Sequence, residues 1–392
     1  MTLPQLNING RFLTQPTTGV QRVAREITRE IDAMLDRGTL LADVSLLVPP
    51  GPWAERLELK RIQVKTVGRF SGFLWEQLEL PRNVGKNLLL CLGNSAPITL
   101  LKQRQAHVAV MIHDVSFLDF PQAYKFGYRQ MHRALLPLLL RRAREIFTVS
   151  QTERRRLARI DAGVAPRVTV VPNGCWRDGS DTGGPQLDLP ALRPGYGLYV
   201  GSLSLRKNFK RILATAVRLA REDGMDFVFV GATGKIMRKP AVAVPPDVAH
   251  RIHFLGQINN REQLARIYQQ ARVLVFPSLY EACPLPPLEA AHFGCPVVVS
   301  NIPSMWERCG QAAVYCNPLS IDSIAGAVRK VVSDPALSEA LAAAGHRRAS
   351  ERIWADQALA ICAQIMPGSC EPAVLAVADE NGVMRRIVSS LP

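Results

Sequence analysis

Short apolar runs alternate along this chain with segments whose apolar positions recur at helical spacing. In the first half, residues 44–48, 87–92, 108–113, 145–149 and 168–171 are β-branched or leucine-rich runs, the pattern of strands buried on both faces. Between them, residues 21–35 and 125–144 carry apolar positions three and four apart, which predicts helices. The second half repeats the habit, with strands expected at 197–201, 226–231, 251–254, 273–276 and 296–300. Helices are expected there at 209–222, 261–270 and 286–293. Strands alternating with helices imply parallel sheets. Two such series in 392 residues predict an α/β chain of two Rossmann-like domains, too long for one core. Residues 177–194, rich in Gly, Asp, Ser and Pro, read as a linker between a first domain at 1–176 and a second at 195–352. The remainder, 353–392, reads as a last helix at 353–365 and a tail with no strong period.

The chemistry concentrates in residues 276–301, FPSLYEACPLPPLEAAHFGCPVVVSN. An apolar strand runs into a loop carrying Glu281. Pro286 and Pro287 then suit a first helical turn, where no backbone N–H is needed. Glu289 sits one turn in, and Gly294 and Pro296 close the helix. Two carboxylates and a set of helix N–H groups are thereby aimed at one place. A helix N-terminus attracts phosphate, whereas carboxylates accept hydrogen bonds from sugar hydroxyls. A diphosphate with sugars is a nucleotide-sugar. Taken alone, the same two glutamates read as a solvated surface pair.

A second basic constellation lies in GLYVGSLSLRKNFKRILAT, residues 197–215. A strand ends at Gly201, a loop holds Arg206 and Lys207, and a helix opens near Asn208. Ligands of open parallel sheets bind at the carboxyl ends of strands, and two cations beside a helix N-terminus suit a diphosphate. The plainer reading is a solvated basic loop. Gly19, before the helix of residues 21–35, either admits a ligand close to the backbone or merely makes a turn. His113 ends the strand of residues 108–113 and is either a packed core histidine or a site residue, with Asp114 capping the next turn. Asn173-Gly174 reads as a turn, and Gly256 as a backbone contact to a base edge.

Residues 276–301 resemble the nucleotide-sugar signature of the retaining GT-B glycosyltransferases of family 4, in which Glu, seven residues and Glu precede a Gly-Thr/Cys-Pro-Val-Val run. Residues 201–208 resemble that family's loop in which a Lys grips the donor phosphates. Residues 17–22 resemble its glycine loop, and residues 110–114 its His-Asp strand end. The matches come in the family's order over about residues 7–365. The resemblance implies a GT-B fold, with two Rossmann-like domains facing a central cleft, and retention of anomeric configuration. It implies donor contacts from Gly19, Gly201, Ser202, Arg206, Lys207, Glu281, Leu285 and Glu289, with His113, Lys207 and Glu281 as the catalytic residues. The glutamate pair is expected across the cleft from Lys207, Gly19 and His113. Two departures stand out. Ser202 replaces the Arg that many members carry after the strand's Gly, and Ala282-Cys283-Pro284 replaces a Gly-rich turn. Pro284 removes one backbone donor, and Cys283 is expected to be packed.

Charge and composition narrow the partners. The net charge of +15, spread over both halves, attracts nucleotide diphosphates, anionic lipid surfaces or nucleic acid alike. No aromatic-basic recognition motif supports nucleic-acid binding. No Asp-x-Asp motif indicates a metal, so neither metal nor cofactor is expected beside the donor. The eight Cys show no paired spacing, and no apolar run reaches the roughly 18 residues of a membrane span, which points to the cytoplasm. Residues 125–144 mix cations, aromatics and Leu, and read either as a sheet-covering helix with a basic outer face or as a peripheral contact with the anionic inner face of the plasma membrane. The strings GVQRVARE, HDVSFLDFP and RKNFKRI resemble bacterial mannosyltransferases of surface-polysaccharide assembly. That resemblance implies GDP-mannose as donor and a saccharide acceptor, most naturally a lipid-linked oligosaccharide of lipopolysaccharide or exopolysaccharide synthesis. UDP- and dTDP-sugars stay open, as do a sugar-nucleotide epimerase and a phosphorylase.

Overall fold

The computed structural model describes residues 3–54, 56–103, 107–176, 192–232 and 243–370, and the backbone of two later strands, Val374–Ala378 and Met384–Val388. Most of the expected linker, 177–191, lies outside the described residues. The chain forms two units. The first comprises Met1–Val115, Gln130–Gly174 and Ile353–Pro392, and the second Ser116–Arg129 and Cys175–Arg352. Residues 116–129, read from the sequence as part of the first domain, thus cluster with the second unit. Within that unit, the Phe120 ring meets the edge of Tyr280 at 5.8 Å.

The first unit is built on a seven-stranded parallel sheet. Its strands are β1 (Gln5–Asn9), β2 (Asp43–Val48), β3 (Gln63–Thr66), β4 (Leu88–Cys91), β5 (Val108–Ile112), β6 (Glu145–Thr148) and β7 (Val168–Val170), in the order β3-β2-β1-β4-β5-β6-β7. The second unit carries a six-stranded parallel sheet of β8 (Tyr196–Val200), β9 (Phe227–Val230), β10 (Ile252–Gly256), β11 (Ala271–Phe276), β12 (Val297–Ser300) and β13 (Val314–Cys316), ordered β10-β9-β8-β11-β12-β13. Both are doubly wound. Strand order reverses between β1 and β4 and again between β8 and β11, and each reversal opens a crevice at the strands' carboxyl ends.

The strands expected from apolar runs are present, shifted by one or two residues, and the helices Phe209–Glu222 and Arg261–Gln270 occupy the expected positions. Three strands of the two parallel sheets escaped the pattern, as did the two of the tail. In β1, buried Asn7 and Asn9 interrupt the apolar run, and their amides donate to the Val84 carbonyl and the Glu76 carboxylate. The edge strand β3 is exposed at all four positions, and β13 is three residues long. The tail strands Val374–Ala378 and Met384–Val388 pair antiparallel.

The helix Trp354–Ile365 packs against the helix Gly19–Asp36 in the first unit. Asn173-Gly174, expected as a turn, instead serves this packing. Asn173 is buried and accepts a hydrogen bond from Gln357, and a Cβ on Gly174 would lie 2.5 Å from the Trp354 ring. Glycine is there because an indole needs the space. The helix Phe126–Arg142 buries Leu135, Leu136, Leu139 and Leu140 while Arg133, Arg141 and Arg142 face solvent, the arrangement of a sheet-covering helix with a basic outer face. Among the described residues no helix is long and apolar enough to cross a membrane.

Candidate active site

The crevice between β8 and β11 gathers most of the expected donor residues. The loop leaving β8 ends at Asn208, whose left-handed backbone (φ +61°) is one that Asn tolerates better than most residues. Its side-chain amide donates to the carbonyls of Pro277 at 2.9 Å and Pro318 at 2.6 Å. The Leu279 N–H donates to the Arg206 carbonyl at 3.0 Å. The loops after β8 and β11 are therefore stitched together by the Asn208 amide and a backbone hydrogen bond, and the helix Phe209–Glu222 begins directly behind them.

On this base Lys207 Nζ lies 2.5 Å from Glu281 Oε1, and Arg206 Nη1 lies 3.9 Å from Glu281 Oε2. Arg206 Nη1 also donates to the Tyr280 carbonyl at 3.1 Å, and Lys207 Nζ stands 5.0 Å from the Phe276 ring centroid. The expectation that Lys207 and Glu281 face each other across a cleft is corrected. They are partners in one crevice of the second unit, because their loops follow neighbouring strands. Arg206 braces the Glu281 loop through the Tyr280 carbonyl. Both acid and lysine are nearly buried, with side-chain exposures of 6% and 13%.

Glycines set the floor. Gly231, at φ +132°, lies so close to the end of β8 that a Cβ there would be 2.0 Å from the Gly201 carbonyl oxygen. Its N–H donates to the Gly256 carbonyl at 2.7 Å, so Gly256, read as a base-edge contact, supports the floor. The Ser202 carbonyl accepts from the Tyr199 hydroxyl at 2.9 Å, which fixes the first turn of the loop. Leu285 is buried and leads into the helix Pro286–His292, its carbonyl accepting from the Glu289 N–H. Pro284, which lost a donor, keeps its carbonyl in use: Arg308 Nε donates to it at 2.9 Å. Cys283 is half-buried rather than packed away.

Glu289 is 1% exposed, and its Oε2 accepts from the Tyr268 hydroxyl at 3.0 Å. Tyr268 was not singled out from the sequence, because a tyrosine on the apolar face of a helix looks like ordinary core. Its ring stacks on Phe293 and meets Trp176 edge-on, and the Arg261 guanidinium lies 4.7 Å from the Trp176 ring centroid.

Gly19 and His113 belong to the first unit. Gly19 opens its helix, has no positive φ, and meets nothing within 4 Å where a Cβ would stand. Nothing among the described residues demands glycine there. His113 is 5% exposed; its N–H donates to Asn94 Oδ1, and its Nε2 lies 2.8 Å from the Leu92 carbonyl. A carbonyl only accepts, so Nε2 carries the proton and Nδ1 is left as an acceptor. Burial pushes the His113 pKa below the ordinary histidine value, against the opposing pull of the Leu92 carbonyl and Asp114. His132 is pushed down to about 4, by burial first and then by Arg11.

Both imidazoles therefore bind a proton more readily in the unfolded chain. The unfolded state takes up the excess protons as pH falls below about 6.5, so stability drops from there toward about pH 4. The urea midpoint is expected to fall between about pH 7 and pH 5, and a midpoint that rises over this range would contradict the assignment.

The crevice between β1 and β4 holds a polar network missed with β1. The Glu76 carboxylate, 1% exposed, accepts from Asn9 at 2.7 Å and Ser95 at 3.0 Å and lies 3.2 Å from Arg11 Nη1. Arg11 Nη2 donates to Ser95 at 2.8 Å.

Comparison with known proteins gives this geometry a family. Residues 191–348 match the model described as glycosyl transferases group 1. The chain is 29% identical over 268 residues to O-antigen chain mannosyltransferase B of Escherichia coli, covering 66% of this chain and 70% of that one. It is 25% identical to O-antigen chain mannosyltransferase RfbU of Salmonella typhimurium, covering 67% and 69%. It is 30% identical over 230 residues to a glycogen synthase of Mycobacterium tuberculosis, covering 56% and 53%. In fold it is similar to sucrose-phosphate synthase from Thermosynechococcus elongatus, with a TM-score of 0.69 at 20% identity over 92% of this chain and 97% of that one. It is also similar to WaaG, a glycosyltransferase involved in lipopolysaccharide biosynthesis, with a TM-score of 0.66 at 15% identity over 93% and 100%. Residues 191–348 are a glycosyl transferases group 1 domain, and the chain has the GT-B fold.

Proposed function

We propose that this glycosyltransferase moves a mannosyl group from GDP-mannose to a saccharide on a lipid carrier, at the cytoplasmic face of a membrane, during assembly of a lipopolysaccharide or exopolysaccharide. The observation that carries a sugar-nucleotide site is the buried Lys207–Glu281 pair, with Arg206 beside it, at the β8/β11 switch point. The choice of mannose is supported by the similarity to O-antigen mannosyltransferases.

In this reading Lys207, Arg206 and the N-terminus of Phe209–Glu222 stabilise the departing diphosphate, which is electrostatic catalysis. Gly201, Ser202 and Gly19 let backbone come close to the phosphates, and Leu285 lines the donor. Glu281 orients the sugar hydroxyls, and Glu289, held by Tyr268, takes the ribose. His113 accepts a hydrogen bond from a hydroxyl of the transferred sugar through Nδ1. The bond from the anomeric carbon to the phosphate oxygen breaks, and a bond to the acceptor oxygen forms on the same face. The acceptor's proton passes to the leaving phosphate, so neither metal nor cofactor enters the scheme.

A second reading, transfer from a UDP-sugar, is favoured by the similarity to a glycogen synthase and by fold neighbours solved with UDP-glucose. A panel of nucleotide-sugars scored by thermal shift and slow donor hydrolysis separates them. GDP-mannose is expected to stabilise most and to hydrolyse. Preference for UDP-glucose selects the second reading, and no stabilisation by any sugar nucleotide sinks both.

A further inference from the structure

The second unit carries an exposed aromatic ring backed by another. Trp306, on the helix Pro303–Cys309, is 48% exposed, and its indole lies flat on the Tyr315 ring of β13, with centroids 3.7 Å apart and planes 5° from parallel. With one face covered in this way, the exposed area belongs to the opposite face and the edges. Both rings are fixed. The indole Nε1 donates to Asn301 Oδ1 at 2.7 Å, and the Tyr315 hydroxyl donates to the Gly310 carbonyl at 2.5 Å. Leaving so much apolar ring in water is unfavourable, and a ring pinned by a hydrogen bond and a stack cannot turn away to reduce it.

Amides flank this platform. Ser300 pairs with Cys316 in the register of β12 and β13, and the Asn301 N–H donates to the Cys316 carbonyl at 2.8 Å. The exposed Asn301 and Asn317 therefore leave neighbouring strand ends together. The Asn301 oxygen holds the indole and the Asn317 oxygen accepts the Leu319 N–H at 3.0 Å, while each amide nitrogen is a donor. Charge is scarce here. From residue 293 to residue 321 the charged residues are Glu307 and Arg308, and Arg308 is buried with Nε on the Pro284 carbonyl. In a chain of net charge +15, a surface without its share of cations is not built for an anion. An aromatic face beside amide donors complements a neutral pyranose, whose C–H face lies on the ring while its hydroxyls accept the hydrogen bonds. The platform is also tied to the donor crevice. The Pro318 carbonyl accepts from Asn208 at 2.6 Å, and Arg308 joins the helix of Trp306 to the loop of Glu281 at 2.9 Å.

We propose that Trp306, with Asn301 and Asn317, is a binding subsite for a neutral hexose of a saccharide chain, separate from the donor crevice. The inference rests on the proposed saccharide acceptor and deepens it. A weak grip of this kind acts through effective concentration. It lowers KM for a saccharide long enough to occupy Trp306 and the reacting position together, and leaves a single sugar unaffected.

The test is titration of the full chain with mannotetraose and with maltotetraose, with and without saturating GDP, read by calorimetry and tryptophan emission. The wild-type chain is expected to bind at least one of them with about millimolar affinity whether or not GDP is present. Trp306→Ala is expected to weaken binding at least about tenfold. Trp306→Phe, which keeps a ring, should weaken it by less than about threefold. Asn317→Ala, at an exposed position outside the ring stack, should weaken it roughly threefold and reads the site without disturbing the indole. Donor hydrolysis should be unchanged in all three. A wild-type chain that binds neither tetrasaccharide overturns the proposal, as does binding that none of the variants alters. Binding that GDP abolishes puts the sugar in the donor crevice and overturns it too. So does a wild-type chain that binds no saccharide but self-associates until Trp306 is replaced, which identifies the face as an interface between copies. Donor hydrolysis by the wild type, read in parallel, reports on the proposed reaction independently of these results.

Discussion

Lys207→Ala is expected to lower donor turnover by roughly 10²–10³-fold, the usual consequence of removing a group aimed at developing charge. The companion change, Glu281→Ala, should cost activity and stability together. It leaves the Lys207 ammonium, 2.5 Å from its former partner, and Arg206 without the carboxylate between them. Removing one member of a buried ion pair typically destabilises by about 3–5 kcal/mol. The two variants should respond differently to GDP. In Glu281→Ala the diphosphate restores an anion beside the two cations, so nucleotide should raise its thermal midpoint more than it raises that of the wild type. In Lys207→Ala nucleotide should raise the midpoint less than in the wild type. The double variant should be more stable than the sum of the single changes predicts, because it removes the ammonium together with the carboxylate that faces it. Thermal unfolding of all four proteins with and without GDP decides the matter. Equal nucleotide responses would remove Lys207 from the phosphate site.

Gly231→Ala is the second large effect. The added Cβ would meet backbone, the Gly201 carbonyl oxygen at 2.0 Å, and no flexible side chain can yield instead. The φ of +132° adds strain of about 1–3 kcal/mol for any other residue. We expect a loss of more than about 3 kcal/mol or no soluble protein. Gly256→Ala, at φ +68° with nothing within 4 Å, should cost only about 1–2 kcal/mol. Gly19→Ala should leave stability within about 0.5 kcal/mol of the wild type. Any rise in KM at that position would then report a ligand close to the backbone rather than a packing defect. Urea denaturation of the three variants gives the ranking, and a stable Gly231→Ala would mean that β8 and β9 end farther apart than described.

Much of the architecture was legible because strands buried on both faces cannot avoid long apolar runs, as at residues 108–112 and 273–276. What escaped had a physical reason to escape. β1 carries two buried asparagines whose partners are far along the chain, and an amide satisfied by Glu76 looks polar until that partner is known. The site shows the same division. Lys207, Glu281 and Glu289 stood out through spacing and loop chemistry. That Lys207 and Glu281 are partners depends on β8 and β11 lying side by side, an adjacency that chain order does not disclose. Tyr268 gave no signal, because it offers Glu289 a single hydroxyl on a ring otherwise spent in packing.

The stitching of the β8 and β11 loops through Asn208 has an evolutionary and engineering corollary. Residues 201–208 and 277–285 behave as one heritable module: the Asn208 amide reads the Pro277 and Pro318 carbonyls, and the Arg206 carbonyl reads the Leu279 N–H. Transplanting either loop alone from an enzyme with another donor would confront each half with a foreign template. A chimera that exchanges both loops, with residue 318, keeps the seam intact, so changes of sugar preference are expected to travel between relatives as paired replacements rather than as single substitutions.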